Sequence, residues 1–126
     1  MKLNQAECIA ILEEIRWSGI PKCPYCGSVK SRKLKNEYRH QCNECYTSYS
    51  VTVDTIFHKT HASLWKWFLA IHHFEQTQGS ITVRDLAAAI GVNKNTANRM
   101  LKALRSIPDS ERRWVFRITK STIWFK

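Results

Sequence analysis

The chain has 126 residues, with 20 Lys and Arg against 10 Asp and Glu and a formal net charge of +10. Apolar types make up 44% of it and include five Trp, five Phe and four Tyr, which excludes a disordered basic tail. The length suits one ordinary domain or two very small ones. No apolar run approaches the ~18 residues of a membrane span, and Met1-Lys2-Leu3-Asn4-Gln5 leads into a Glu-containing stretch rather than a signal-peptide core. The expected setting is a prokaryotic or phage-infected cytoplasm, at the nucleoid, where five cysteines serve as metal ligands or free thiols rather than disulfides. A charge this positive in a small folded chain calls for a polyanionic partner, in the first place nucleic acid.

The first predicted element is a helix from Asn4 to Trp17, with Asn4 as N-cap and Glu7 completing a capping-box pattern. Ala6, Ile9, Leu12 and Ile15 fall near one face, so the helix packs on the later part of the chain and acts as scaffold. Lone Cys8 on this helix reads as a small buried residue.

Cys23-Pro24-Tyr25-Cys26-Gly27 and Cys42-Asn43-Glu44-Cys45 are two C-x2-C pairs with 15 residues between them. Each short loop aims two thiolates at one point, and a hairpin that brings the loops together completes a tetrahedral S4 site for Zn²⁺. A redox dithiol and a rubredoxin-type iron site are the rival readings. Gly27 suits a knuckle turn that needs a permissive backbone, whereas Tyr46, in the matching place after the second pair, is a less typical fit. His40 also lies near, but four thiolates fill the shell. The basic stretch Lys30 to Arg39 has a turn near Asn36, and Tyr46 to Val53 reads as strand, which together give the layout of a zinc ribbon. With so few apolar residues, metal would supply most of its folding free energy. Its loop cations, among them Lys33 and Lys35, are either a solvated face or phosphate contacts.

From Ser63 to Gln78, Leu64, Trp67, Phe68, Ile71 and Phe74 recur at helical spacing, with Ser63 as N-cap and Gly79 as the stop; His72 and His73 read as a surface pair. Thr82 to Ile90, the turn Gly91-Val92-Asn93 and the helix Lys94 to Arg105 then form a helix-turn-helix pattern. Ala97, Met100, Leu101 and Leu104 point inward; Lys94, Asn95, Thr96, Asn98, Arg99, Lys102 and Arg105 are candidates for DNA contact. Asn pairs with adenine, Arg with guanine, and Lys with guanine or phosphate in the major groove. Residues 94–126 hold nine Lys and Arg against Asp109 and Glu111, net +7, while residues 22–61 contribute a net +4. In the tail, Arg112 to Lys126 alternates in strand fashion. It reads as a β-hairpin wing, with Arg112, Arg113, Arg117 and Lys120 on phosphates, or as an edge strand that needs a partner.

Together, Trp17 to Ser28, Tyr49 to Phe57, Trp67 to Ile71 and the Asp85 to Leu104 helix-turn-helix resemble the N-terminal region of transposases of the IS1595 (ISXO2-like) group, over roughly residues 5–105. Asp54 stands where that family usually has Gly. The resemblance implies binding to terminal inverted repeats. It also implies a following catalytic domain of ribonuclease-H type, for which the roughly 20 residues after the helix-turn-helix leave no room. The expectation is therefore a non-enzymatic α+β chain: residues 1–61 a helix and zinc ribbon, residues 62–126 a helix-turn-helix unit with a strand or wing. It would bind double-stranded DNA with Zn²⁺ as cofactor, for terminal-repeat recognition or as a regulator. A homodimer, and a protein-interaction adaptor using the ribbon and the Trp-rich C-terminal strand, are the further partner readings.

Overall fold

The computed structural model describes residues 3–35, 38–53, 55–58 and 62–120. The sequence expectations at Asn36, at Asp54, at the boundary near residue 61 and at Trp124 lie outside them. Helix α1 (Gln5–Trp17) is followed by three short strands, β1 (Ser31–Lys33), β2 (His40–Cys42) and β3 (Ser48–Tyr49), and then by α2 (Leu64–Gln76), α3 (Val83–Ile90), α4 (Lys94–Arg105) and α5 (Asp109–Val115). A 3₁₀ segment, Phe116–Lys120, continues α5. The strands form one antiparallel sheet in chain order, with Arg32 opposite Gln41 and Gln41 opposite Ser48.

Local chemistry sets the helix ends. Asn4 Oδ1 accepts from Glu7 N at 2.8 Å while Glu7 Oε1 accepts from Asn4 N at 3.0 Å, which completes the capping box. Ser63, Thr82 and Asn93 each cap their helix in the same way, through the N–H three residues on. The buried stripe of α1 is Cys8, Ile9 and Leu12, joined by Leu3; Ala6 is exposed and Ile15 half-buried, so the apolar face lies a little around the helix from the expected one. Helix α2 buries Leu64, Trp67, Phe68, Ala70 and Ile71, a full face at 3.6-residue spacing.

Two cores result. The larger joins α1 to all four later helices through residues such as Leu12, Phe68, Ile71, Leu86, Met100, Leu101, Leu104, Val115 and Ile118. The smaller belongs to the ribbon and consists of Cys23, Cys42, Tyr49 and Val53. Trp17 packs against both. Arg16 reinforces that joint: it donates to the carbonyls of Val51 and Val53, and its guanidinium lies over the rings of Trp17 and Trp114, 6.0 and 5.6 Å from their centroids.

Two sequence expectations are corrected. Residues Arg112 to Lys120 are helical, not a β wing or edge strand. Pro108 leads into Asp109 and Glu111 in the first turn, with Arg112 and Arg113 in the last, which is the charge order a helix dipole favours. The apparent alternation also places Val115 and Ile118 three apart on one buried helical face. The strand expected over Tyr46 to Val53 is confined to Ser48–Tyr49. Beyond it Ser50 and Thr52 bond each other at 2.9 Å, successive turns bring Val53 N to Ser50 O and Thr55 N to Thr52 O, and Arg16 occupies the carbonyls a ladder would need.

Leu101 is fully buried in the larger core. Leu101→Ala is expected to lower unfolding free energy by about 2–5 kcal/mol in denaturant titration, whereas exposed Arg84→Ala stays within about 0.5 kcal/mol of the parent.

Candidate metal centre and nucleic-acid interface

The two cysteine loops are copies of one turn. In the first, Cys23 N donates to Ser28 O and Gly27 N to Cys23 O, both at 2.9 Å; in the second, Cys42 N donates to Thr47 O at 3.0 Å and Tyr46 N to Cys42 O at 3.1 Å. Each turn needs a left-handed residue after its second cysteine, supplied by Gly27 (φ 79°) and by Tyr46 (φ 61°). At Tyr46 that conformation costs about 1–2 kcal/mol that a glycine would not incur.

The result gathers Cys23, Cys26, Cys42 and Cys45 with all four sulfurs within 4.8 Å of one another. Cys23 and Cys45 sulfurs are 3.7 Å apart, and those of Cys26 and Cys42 are 3.4 Å apart. A tetrahedral Zn²⁺ with bonds of about 2.3 Å sets its sulfurs about 3.8 Å apart, so these separations fit a metal and are far too long for a disulfide. Cys42 Sγ accepts from the N–H groups of Glu44 and Cys45 at 3.4 Å each. Those donors hold the Cys42 thiol below its ordinary range, the Cys45 N–H foremost. The Thr47 side chain and N–H bring Cys45 down to about 6. At Cys26 the Ser28 N–H acts in the same direction, but the neighbouring Cys42 sulfur, burial and the other two thiols push the group up to about 12. Four sulfurs this close cannot all ionise without a cation between them, and Zn²⁺ supplies it.

His40 has another occupation. Its Nε2 bonds Glu13 Oε2 at 2.9 Å, its ring stacks on Tyr49 at 5.8 Å, and it meets Trp17 edge-on at 5.5 Å. It ties β2 to α1. Cys8 is fully buried, and burial raises its thiol to about 11, so it is inert packing.

The second candidate surface begins at α3 and α4. Gly91, at φ 72°, turns the chain between them, and a Cβ there would stand 3.2 Å from Lys66 Nζ. Lys66 itself donates to Ile90 O, neutralising the carbonyl end of α3. On α4, Ala97, Met100, Leu101 and Leu104 are buried. Lys94, Asn95, Arg99 and Lys102 are exposed, and Asn98 and Thr96 are half-buried. Arg105 is exposed, yet its guanidinium donates to Ile81 O at 3.1 Å and Gly79 O at 3.5 Å, fastening α4 to the loop before α3. Gly79 also borders a groove of about 540 Å³ whose walls include Arg112, Arg113 and Arg117 and whose floor includes Phe74 and Phe116, stacked at 6.1 Å. Arg105 and this groove thus meet at Gly79, in the loop between α2 and α3. Lys120 closes the 3₁₀ segment. Lys33 and Lys35 stand exposed on β1 and the turn after it, and among the described residues no substantial packing joins the ribbon strands to α4.

Residues 3–48 match the transposase zinc-ribbon domain, and residues 63–107 match the IclR helix-turn-helix domain. In these two stretches the chain is similar to a transposase zinc ribbon and to a helix-turn-helix domain. A relative from Halobacterium salinarum, an uncharacterized protein in transposable element ISH50, is 28% identical over 113 residues, 87% of this chain. The chain spans 38% of that relative's length. No solved structure matches. Neither matched domain is a catalytic one, and no helix among the described residues is long and apolar enough to cross a membrane.

Sequence reasoning located the cysteines and the helix-turn-helix but missed Arg16, Glu13, His40 and Lys66 as positioning residues. No motif marks them; each reaches a partner at least 24 positions away.

Chelation of the metal is expected to abolish the near-ultraviolet signal of Trp17 and Tyr49 while most far-ultraviolet helicity persists, because the helices have a core of their own. Cys42→Ser should bind less than about one tenth of the zinc held by the parent, measured by metal analysis, with similar spectra.

Proposed function

We infer that this chain is a zinc-dependent, sequence-specific double-stranded DNA-binding protein of transposase origin. The observation that carries the reading is α4: a capped helix behind a glycine turn, anchored by four buried side chains and presenting Asn95, Asn98, Arg99 and Lys102 outward. A helix of this kind enters the major groove with its outward Asn and Arg side chains on base edges. Lys94, Thr96 and Arg105 position it, and Arg112, Arg113, Arg117 and Lys120, with Lys33 and Lys35 on the ribbon, contact phosphates. Cys23, Cys26, Cys42 and Cys45 hold the zinc that folds the ribbon.

The role assigned is recognition, of a transposon's terminal repeats or of a promoter, at the nucleoid, with residues 1–61 and 62–126 as two reading units. A homodimer would suit palindromic half-sites. The adaptor alternative loses the strand it expected up to residue 120, where the chain is helical and Trp114 is half-buried against Phe57 and Arg16, and keeps the ribbon as its docking surface.

Charge supports the same reading. Four thiolates and one Zn²⁺ lower the formal +10 to about +8, and residues 94–126 hold a net +7. If about nine phosphates are engaged, log K falls against log salt with a slope near −8, from about −0.9 per contact. Lys102→Ala is expected to reduce that slope by about 1 on every sequence, whereas Arg99→Ala relaxes base preference at one position at a loss of about 1–3 kcal/mol. Titration of a duplex across salt concentrations checks both; a salt-independent affinity would refute the reading.

A further inference from the structure

Every large apolar side chain that is strongly exposed among the described residues lies on or beside the ribbon: Ile20, Tyr25, Val29, Tyr38 and Tyr46. Tyr46 is the extreme, at 74%. Its backbone is held left-handed by the metal-loop turn, at the position where the sister loop has Gly27. Its ring makes no aromatic contact or side-chain hydrogen bond among the described residues, so the strain is not recovered inside the fold. A strained residue whose side chain gains nothing within the fold points outward to a ligand.

The surroundings of Tyr46 indicate which ligand. Gln41 Nε2 donates to Tyr46 O at 3.3 Å, and Arg32 Nη2 donates to Gln41 Oε1 at 2.8 Å. Ser48, opposite Gln41 on the other side, accepts from Arg39 Nη2 at 2.8 Å. His40 and Cys42 alternate onto the buried face, so the outer face is a connected row of Arg32, Gln41, Ser48 and Arg39, with Tyr46 at one end. Both guanidiniums bond neutral oxygens, and neither forms an ion pair among the described residues, which leaves their charge free for an anion. Cations along a sheet with an exposed ring at its end are the makings of a single-strand platform: cations follow the phosphates and the ring stacks on a base. A closed duplex hides its base faces from such rings.

We propose that the outer face of the ribbon sheet binds single-stranded nucleic acid, with Tyr46 stacking on an unpaired base and Arg32 and Arg39 holding the backbone. This activity is separate from duplex recognition by α4 and stands or falls independently of it.

The test is fluorescence anisotropy of a labelled oligothymidylate of about 12 nucleotides, titrated with the zinc-loaded full chain at low salt. Tyr46→Gly and Tyr46→Asn remove the ring and place a residue that accepts the left-handed backbone, so both variants should retain zinc and Tyr46→Gly should melt at a higher temperature. Their affinity for the oligonucleotide should fall about tenfold, while the variant Arg84→Ala, at an exposed position on α3, binds as the parent does. Failure of the parent to bind the oligonucleotide, or unchanged affinity in the tyrosine variants, would overturn the proposal. So would a defect of those variants confined to duplex or protein binding.

Discussion

Four thiol sulfurs within 4.8 Å of one another are the constraint on which the first half of the molecule rests. The ribbon's own core has only Cys23, Cys42, Tyr49 and Val53 among the described residues, and two of those four are themselves metal ligands. Removing the cation therefore removes more than a crosslink: it leaves like charges, or competing protons, at the centre of the apolar cluster on which the strands depend. Three strands of two or three residues each cannot compensate for that loss.

The helical half depends on no such site, yet the two halves meet on one helix. Helix α1 contributes Leu12 and its neighbours to the large core, and from its last turns sends Glu13 to His40, Arg16 to the carbonyls of Val51 and Val53, and Trp17 to the ribbon cluster. Arg16 also lies over Trp114, just before the 3₁₀ segment. Zinc orders the strands, α1 orients the ordered strands against the helices, and the cationic surfaces of ribbon and α4 are thereby held in one frame. If both surfaces engage one long polyanion, as proposed, such preorganisation lowers the ordering cost of each further contact.

The parts legible in the sequence were those set by short-range chemistry. C-x2-C pairs, the capping residues Asn4, Ser63, Thr82 and Asn93, and the glycine at position 91 act within about five residues of themselves, and each appears where its local rule places it. The α5 segment failed for the opposite reason. Trp114, Val115, Phe116, Arg117 and Ile118 satisfy both a two-residue and a 3.6-residue pattern, and packing against α2 and α1 selects the helical one. The end of β3 was misread because Arg16, more than thirty residues earlier, takes the carbonyls of Val51 and Val53. Tyr46 shows the mixed case: the spacing marked an unusual residue at the knuckle, but its left-handed backbone and its exposure are visible only in three dimensions.

In the proposed function a zinc-folded ribbon and an Asn/Arg/Lys-faced helix together read a defined DNA sequence. Selection from a random-sequence duplex pool by the zinc-loaded chain, with sequencing of the retained fraction, tests this most directly. One enriched motif should emerge, and the same selection with the Arg99→Ala/Lys102→Ala variant should lose or alter it. A retained pool as random as the input, at any salt concentration at which the chain still binds, would contradict sequence-specific recognition.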